Sequence, residues 1–365
     1  MENRSVAGRK LAILADGHLD FHFGKTAIGV LRYRENDVVA VIDHESAGKT
    51  AQHVVGVGGD TPIVATVAEA IALGPDTLLI GVATRGGMIP NEWREPLMEA
   101  ISHGLDVICG LHYFLSDDPE IAAAAAVAGV RLIDVRKPPD ELAVAEAKPR
   151  AAGGTVITMV GSDCAVGKMS VALDIEAEAR NQGVDAQFVA TGQTGMMISG
   201  NGIPLDRIIG DFMSGAVEAE VDRAAAKHSL VLVEGQGSLI HPAYSGVTLA
   251  LIHGSRPDAM ILTVMPSRSI VEDYEIEIPS VLDLIEMHES AAGWIKPAPV
   301  IAIAVNSLGL TEDQSRRALE IVAMESGLPT TDSFRYGASL LVKTIREFRS
   351  GRRYGTEPIQ SSEVG

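Results

Sequence analysis

Short runs of Val, Ile, Leu and Ala, apolar at nearly every position, recur along the chain, and the stretches between them return an apolar residue every three or four positions. LAILA (11–15), VVAVI (38–42), TLLIGVA (77–83), DVICGL (106–111) and RLIDVRK (131–137) predict strands buried on both faces. TVAEAIALG, EWREPLMEAISHG and the stretch from Asp118 carry helical spacing between them. Alternation of this kind predicts a doubly wound α/β domain with a parallel sheet.

Periodicity fails at Lys137-Pro138-Pro139-Asp140 and again from Pro149 to Gly154, where Pro and Gly predict a linker. The expected domains are residues 1–145 and 146–365. A second alternation follows, with strands at TVITMVG (155–161), AQFVA (186–190), SLVLVEG (229–235), AMILTVM (259–265) and VIAIAV (300–305). Helices are expected after Lys168 and over 213–228, 281–288, 312–325 and 337–349. The Gly-, Thr- and Gln-rich stretch 190–218 reads as a mobile binding loop, and the tail after Arg352 reads as mobile.

Composition narrows the functions such a chain can have. Its 365 residues carry 30 Lys plus Arg against 48 Asp plus Glu, a formal charge of -18 that repels nucleic acid and anionic membranes alike. An anionic ligand therefore needs concentrated local positive charge. Two cysteines, Cys109 and Cys164, make no disulfide framework and show no zinc spacing, which fits a reducing cytoplasm. No apolar run is long enough for a signal peptide or a membrane span, so a soluble, cytoplasmic protein is expected. A homo-oligomer is the ordinary expectation for a soluble enzyme.

The strongest chemical motif is TVITMVGSDCAVGKMS, a buried strand running through a small-residue loop into a helix. It reads as a P-loop: backbone N–H groups wrap phosphate oxygens, Lys168 adds a point charge and the helix N-terminus adds its dipole. Two departures matter. Five residues before Gly167 the usual Gly is Ser162, with Gly161 one place earlier, and Met169 stands where a Ser or Thr hydroxyl normally holds magnesium. Ser170 comes one residue late, about 100° further round the helix. The pattern keeps phosphate binding and argues against magnesium-dependent phosphoryl transfer, so no metal is expected. Residues Ser162, Asp163, Cys164, Ala165, Val166, Gly167, Lys168, Met169 and Ser170 form the expected phosphate site.

Other residues are weaker candidates. Gly24-Lys25-Thr26 and Gly48-Lys49-Thr50 lack the P-loop glycine, although Lys25 follows the first strand, where α/β sheets place ligands. His18, Asp20 and His22 invite a metal reading, but the segment follows a strand and no third ligand is obvious, so the histidines read as loop residues near a site or at the surface. Glu234 ends a buried strand as a Walker B carboxylate does, and serves either as a general base or as a cap on nearby N–H groups. Asp211 is a second base candidate or a helix cap, and His241 follows Glu234 closely enough to share a site. Cys164 reads as a small loop residue rather than a nucleophile, because no His is paired with it at fixed spacing.

The set GSDCAVGKMS, TGQTGMMISG, GDFMSGAVE, VEGQGSLIHPAYSG and HGSRPDAMIL, with FGKTAIGVLRY near the start, resembles the DgcN-type D-glutamate N-acetyltransferase family over nearly the whole chain. The resemblance implies an amino-terminal Rossmann-like domain followed by a P-loop NTPase-like α/β domain with a mostly parallel sheet. It also implies acetyl transfer from acetyl-CoA to the amine of D-glutamate or a related D-amino acid. The P-loop half is similar, more weakly, to dethiobiotin synthetases, from which Met169 departs.

Coenzyme A carries several phosphates, so a P-loop that keeps its lysine without the magnesium hydroxyl suits it. The base is expected among Glu234, Asp211 and His241, and the carboxylate anchor among Arg85, Lys25 and Arg268. The alternatives are an ATP-dependent ligase or kinase of the dethiobiotin synthetase type, and a nucleotide-binding regulatory protein without turnover.

Overall fold

The computed structural model describes residues 6, 8–20, 23–150 and 153–351. The tail expected to be mobile after Arg352 lies outside the described residues. The chain forms two compact units, Met1–Pro139 with Gly192–Arg207, and Asp140–Thr191 with Ile208–Gly365.

The first unit holds β1 (Leu11–Leu14), β2 (Val38–Ile42), β3 (Ile63–Val64), β4 (Thr77–Ile80), β5 (Asp106–Cys109) and β6 (Leu132–Asp134). They lie in the order β3-β2-β1-β4-β5-β6, every pair parallel. That is the Rossmann order, and the direction of progression reverses between β1 and β4. Leu11–Leu14 and Leu78–Ile80 are wholly buried, as continuous apolar runs require when helices cover both faces. Gly81, just beyond β4, is needed for close packing: a Cβ there would come within 2.4 Å of Ile13 Cγ2 and 2.9 Å of Ala27 Cβ on helix Lys25–Tyr33. The helix expected near Asp118 spans Pro119–Ala128, with the Asp118 carboxylate capping the N–H groups of Glu120 and Ile121.

The second unit holds β7 (Thr155–Gly161), β8 (Ala186–Val189), β9 (Leu230–Val233), β10 (Ala259–Val264), β11 (Val300–Val305) and β12 (Thr330–Thr331). Their order is β12-β11-β10-β7-β9-β8, again all parallel, with β7 interior between β10 and β9. Met260, Leu262 and Ile303 pack with Leu284, Leu319 and Val322 in one apolar cluster, which seats helices Val281–Gly293 and Glu312–Ser326 on the sheet. The second of these helices opens with a reciprocal cap between Thr311 and Gln314. Residues 141–150 have no regular structure, yet the Glu218 carboxylate accepts the N–H groups of Glu146 (3.0 Å) and Ala147 (3.1 Å), which fastens this stretch to the second unit.

Several helices depart from the expectation, among them two in the second half of the chain. The stretch read as a binding loop contains helix Gln193–Ser199, and Ser245–Ser255 forms a second helix. The first of these belongs to the amino-terminal unit, where Arg34 donates to the Met197 carbonyl (3.0 Å) and the Thr26 and Thr194 hydroxyls meet at 2.9 Å. No helix among the described residues is long and apolar enough to cross a membrane.

Candidate functional site

The loop after β7 is shaped by one buried carboxylate. Asp163 is wholly buried; its Oδ1 accepts the Cys164 N–H (2.7 Å), and its Oδ2 accepts the Glu272 N–H (2.8 Å) and the Arg268 guanidinium (3.0 Å). Arg268 also donates to the Cys164 carbonyl (2.8 Å), and Asn306 Nδ2 donates to the Val166 carbonyl (3.0 Å). Ser162 extends the ladder by donating its N–H to Thr263, while its carbonyl accepts Ser238 Oγ. Ala165 sits exposed at the loop tip with φ of 53°, and Gly167 takes φ of 106°, a value that favours glycine. The loop is thus braced before any ligand arrives.

Lys168 opens helix Lys168–Asn181, and its side chain runs back beneath the loop, where Nζ donates to the Asp163 carbonyl (2.6 Å). Two glycines make room for it. A Cβ on Gly161 would lie 3.2 Å from Lys168 Nζ, and one on Gly235 would lie 2.6 Å from Lys168 Cδ and 2.1 Å from the Met159 carbonyl oxygen. Gly161, one place from the usual P-loop glycine, therefore lies against the lysine itself. Burial pushes the Lys168 ammonium down to about 8, against the opposing pull of Cys164, Asp163 and Glu234. A bound phosphate would restore the charge by the same electrostatics.

Glu234, buried just beyond β9, lies within electrostatic reach of Lys168. Its Oε2 accepts the Thr191 N–H (2.7 Å), its carbonyl accepts Thr191 Oγ1 (3.0 Å), and Gln236 Nε2 reaches the same hydroxyl (3.0 Å). His241 is buried too. Its Nδ1 accepts the Ala243 N–H, and its ring packs 4.6 Å from Tyr244 and 5.1 Å from Tyr274. The ligand-capable atoms of His241, Cys164 and Asp163 lie within 4.8 Å of one another, a pairing of Cys with His that spacing along the chain did not reveal. Burial pushes the Cys164 thiol up to about 11, the direction that disfavours a nucleophilic thiolate.

A cavity of about 260 Å³ adjoins the loop. Val166, Gly167 and Ser170 line it from the loop side, and Asn306, Leu308 and Phe334 from beyond β11 and β12. Leu308 and Phe334 are 69% and 62% exposed, so two large apolar side chains stand at a cavity that shares its wall with a phosphate loop. Ser170, out of the usual magnesium position, faces this cavity. Met169 is half-buried at the start of the same helix.

The remaining candidates are dispersed. Asp211 is exposed in the first turn of helix Gly210–Ala225, where a carboxylate complements the helix dipole. Arg268 braces Asp163. Lys25, in the first unit, is exposed at the first position of its helix, and Arg85 opens the short turn Arg85–Gly87 after β4. His18 packs edge-on against Phe23 and Trp93, and the Asp20 carboxylate accepts the Phe23 N–H; His22 lies outside the described residues. Thr50, of the second Gly-Lys-Thr triplet, caps helix Ala51–Val55. Sequence reasoning missed Asn306 and Thr191, which act on the loop and on Glu234 from the ends of β11 and β8, and Gln236, which braces the Thr191 hydroxyl from beyond β9.

Comparison with known proteins agrees with this layout. The model of the DUF1611 P-loop domain, described as a domain of unknown function, matches residues 143–342, and that of the DUF1611 Rossmann-like domain matches residues 44–138. A D-glutamate N-acetyltransferase of Tritonibacter scottomollicae is 39% identical over 328 residues, 89% of this chain and 95% of that protein. A D-glutamate N-acetyltransferase of a Pseudoalteromonas species is 34% identical over 282 residues, 77% of this chain and 84% of that protein. The crystal structure of a DUF1611 family protein from Anabaena variabilis superimposes with a TM-score of 0.87 at 36% identity, covering 93% of this chain and all of that one. With a Rossmann-ordered sheet, a P-loop sheet and relatives aligned along most of its length, the chain belongs to the D-glutamate N-acetyltransferase family of acyltransferases, built on the DUF1611 pair of domains.

Proposed function

We propose that the chain transfers an acetyl group from acetyl-CoA to the amine of D-glutamate or a closely related D-amino acid. The observation that carries the reading is the alignment with a D-glutamate N-acetyltransferase over 95% of that protein's length. The donor is inferred from the second unit. Its P-loop keeps a buried lysine and has Met169 in place of the magnesium hydroxyl, which suits a ligand whose phosphates are gripped and never transferred. In this reading the pyrophosphate of coenzyme A lies on the loop, and the adenine ring enters the adjoining cavity against Leu308 and Phe334.

Acetyl transfer forms a C–N bond and breaks the C–S bond of the thioester, and the attacking ammonium must first lose a proton. Glu234, His241 and Asp211 remain the base candidates. The pantetheine arm separates the phosphates from the thioester, so Glu234 acts as a base only if the arm folds back over β9; otherwise it holds the loop. Glu234→Gln separates the two roles. A lowered kcat at unchanged acetyl-CoA KM marks a base, whereas a raised KM marks a group that positions the loop.

Free-thiol release from acetyl-CoA, with D-glutamate, L-glutamate and no amine in parallel, tests the function directly. Release that depends on D-glutamate supports it. Absence of release with either isomer, together with magnesium-dependent ADP formation from ATP, would replace it with the ligase or kinase reading.

A further inference from the structure

The first unit contains a cationic cluster at the carboxyl ends of β5 and β6, the side of a parallel sheet where ligands bind. Arg136, two residues beyond β6, has a side chain only 12% exposed, and its Nη2 lies 3.2 Å from Asp206 Oδ2 and donates to Gln193 Oε1. Its Nε is buried without a hydrogen-bond partner among the described residues. Around it stand His112, whose Nε2 is 3.9 Å from the same Asp206 carboxylate, and Arg207, whose guanidinium lies 5.1 Å from the centre of the Phe114 ring. Among the described residues no carboxylate lies within ion-pair distance of Arg207.

A guanidinium has five N–H donors in a fixed plane, and leaving one of them buried and unsatisfied costs free energy. A carboxylate gripping one edge of the fork would take Nε and Nη2 together. In the structure Asp206 reaches only the Nη2 side, so an internal carboxylate occupies part of the place and leaves Nε unused. Asp206 and Gln193 both belong to the segment Gly192–Arg207, which contains Gly192, Gly195, Gly200 and Gly202. Burial lowers the Arg136 pKa from the usual arginine range, and Arg207 nearby lowers it further while Asp206 opposes. An added anion would relieve both effects.

We propose that Arg136, flanked by Arg207 and His112, is a carboxylate subsite that holds one carboxylate of the amino-acid acceptor in place of Asp206. The inference rests on the acetyltransferase reading for the identity of its ligand. Arg136 touches the substrate without touching the reacting amine, so it governs KM.

The test is steady-state kinetics of full-length Arg136→Gln, Arg136→Lys and Asp206→Asn, with melting temperatures alongside. Loss of a charge-assisted pair raises the D-glutamate KM of Arg136→Gln about tenfold or more, with the acetyl-CoA KM unchanged. Arg136→Lys is intermediate, because it keeps the charge and loses the fork. Asp206→Asn lowers the D-glutamate KM, since the competing carboxylate is gone.

D-Glutamine, which keeps only the α-carboxylate, and 4-aminobutyrate, which keeps only the distal one, identify the carboxylate held. The analogue lacking it is insensitive to Arg136→Gln. An unchanged D-glutamate KM in Arg136→Gln overturns the proposal, as does a shift in acetyl-CoA KM instead, which would mark a phosphate site. A raised KM in Asp206→Asn also overturns it, showing a purely structural pair. If the wild type transfers no acetyl group, calorimetric titration with D-glutamate still tests the subsite: binding lost in Arg136→Gln keeps it, and equal binding ends it.

Discussion

Both units are six-stranded parallel sheets with their first strand in the interior, yet they assemble positive charge in different ways. In the second, one continuous segment does the work: strand β7, its loop and the start of the next helix bring backbone N–H groups and Lys168 to one point. In the first, the turn after β1 has no such loop, and charge comes from separate side chains, Arg136 after β6 and Arg207 of the segment Gly192–Arg207. A loop of N–H groups suits a polyanion of any shape. A planar guanidinium fork suits a single carboxylate, so under the proposed function the contrast would separate a phosphate-bearing ligand from a small acid.

Removing Lys168 gives the largest expected effect. Lys168→Ala raises the acetyl-CoA KM by about two orders of magnitude, the loss of a charge-assisted contact in a buried site, and leaves the D-glutamate KM unchanged. If the D-glutamate KM moved instead, the assignment of phosphate to one unit and carboxylate to the other would be reversed.

Next comes pH. Phosphate binding needs the protonated ammonium, so acetyl-CoA affinity falls as pH rises through about 8. Titrations from pH 7 to 9.5 should show the loss in wild type and not in Lys168→Met. Gly235→Ala comes third: a methyl 2.1 Å from the Met159 carbonyl oxygen forces β9 away from β7 and costs about 2 kcal/mol, read by chemical denaturation, with a raised acetyl-CoA KM. Phe334→Ala should weaken acetyl-CoA several-fold and spare D-glutamate.

The smallest effect is on stability. An unfolded lysine keeps its proton up to about 10.5, whereas buried Lys168 releases it near 8, so between these values the unfolded chain binds more protons and stability rises with pH. Below 8 the buried charge is a standing cost. Lys168→Met should raise the melting temperature at pH 7 by about 2 °C, a gain that shrinks as pH climbs from 8 to 10.5. Scanning calorimetry at pH 7 and pH 10 measures it.

What was legible in the sequence follows the range of the interactions involved. VVAVI, TVITMVG and VIAIAV match β2, β7 and β11 residue for residue, because burial on both faces leaves an unbroken apolar run. β3 and β12 contain two residues each, too few to form a pattern. Helix Gln193–Ser199 is only seven residues long, carries Gly195, and is held by Arg34 and Thr26, contacts that no local window contains. The P-loop was readable since its parts are consecutive. Asp163's bracing role was not, because Arg268 and Glu272 come from a distant loop, nor was the meeting of Cys164 with His241.

The membership of Gly192–Arg207 in the amino-terminal unit bears on how the protein is made. Chains emerge from the ribosome amino end first, and domains generally fold as units during synthesis. Here the first unit cannot be completed when residue 139 appears, because the segment carrying Thr194, Met197 and Asp206 follows residues that belong to the second. The nascent first sheet must wait, with Arg34 and Arg136 lacking these partners, until β7, its loop and β8 have been synthesised. Expressing residues 1–139 alone would therefore yield a unit lacking the helix that packs against Lys25–Tyr33, whereas a circularly permuted chain that supplies the segment earlier should shorten that wait.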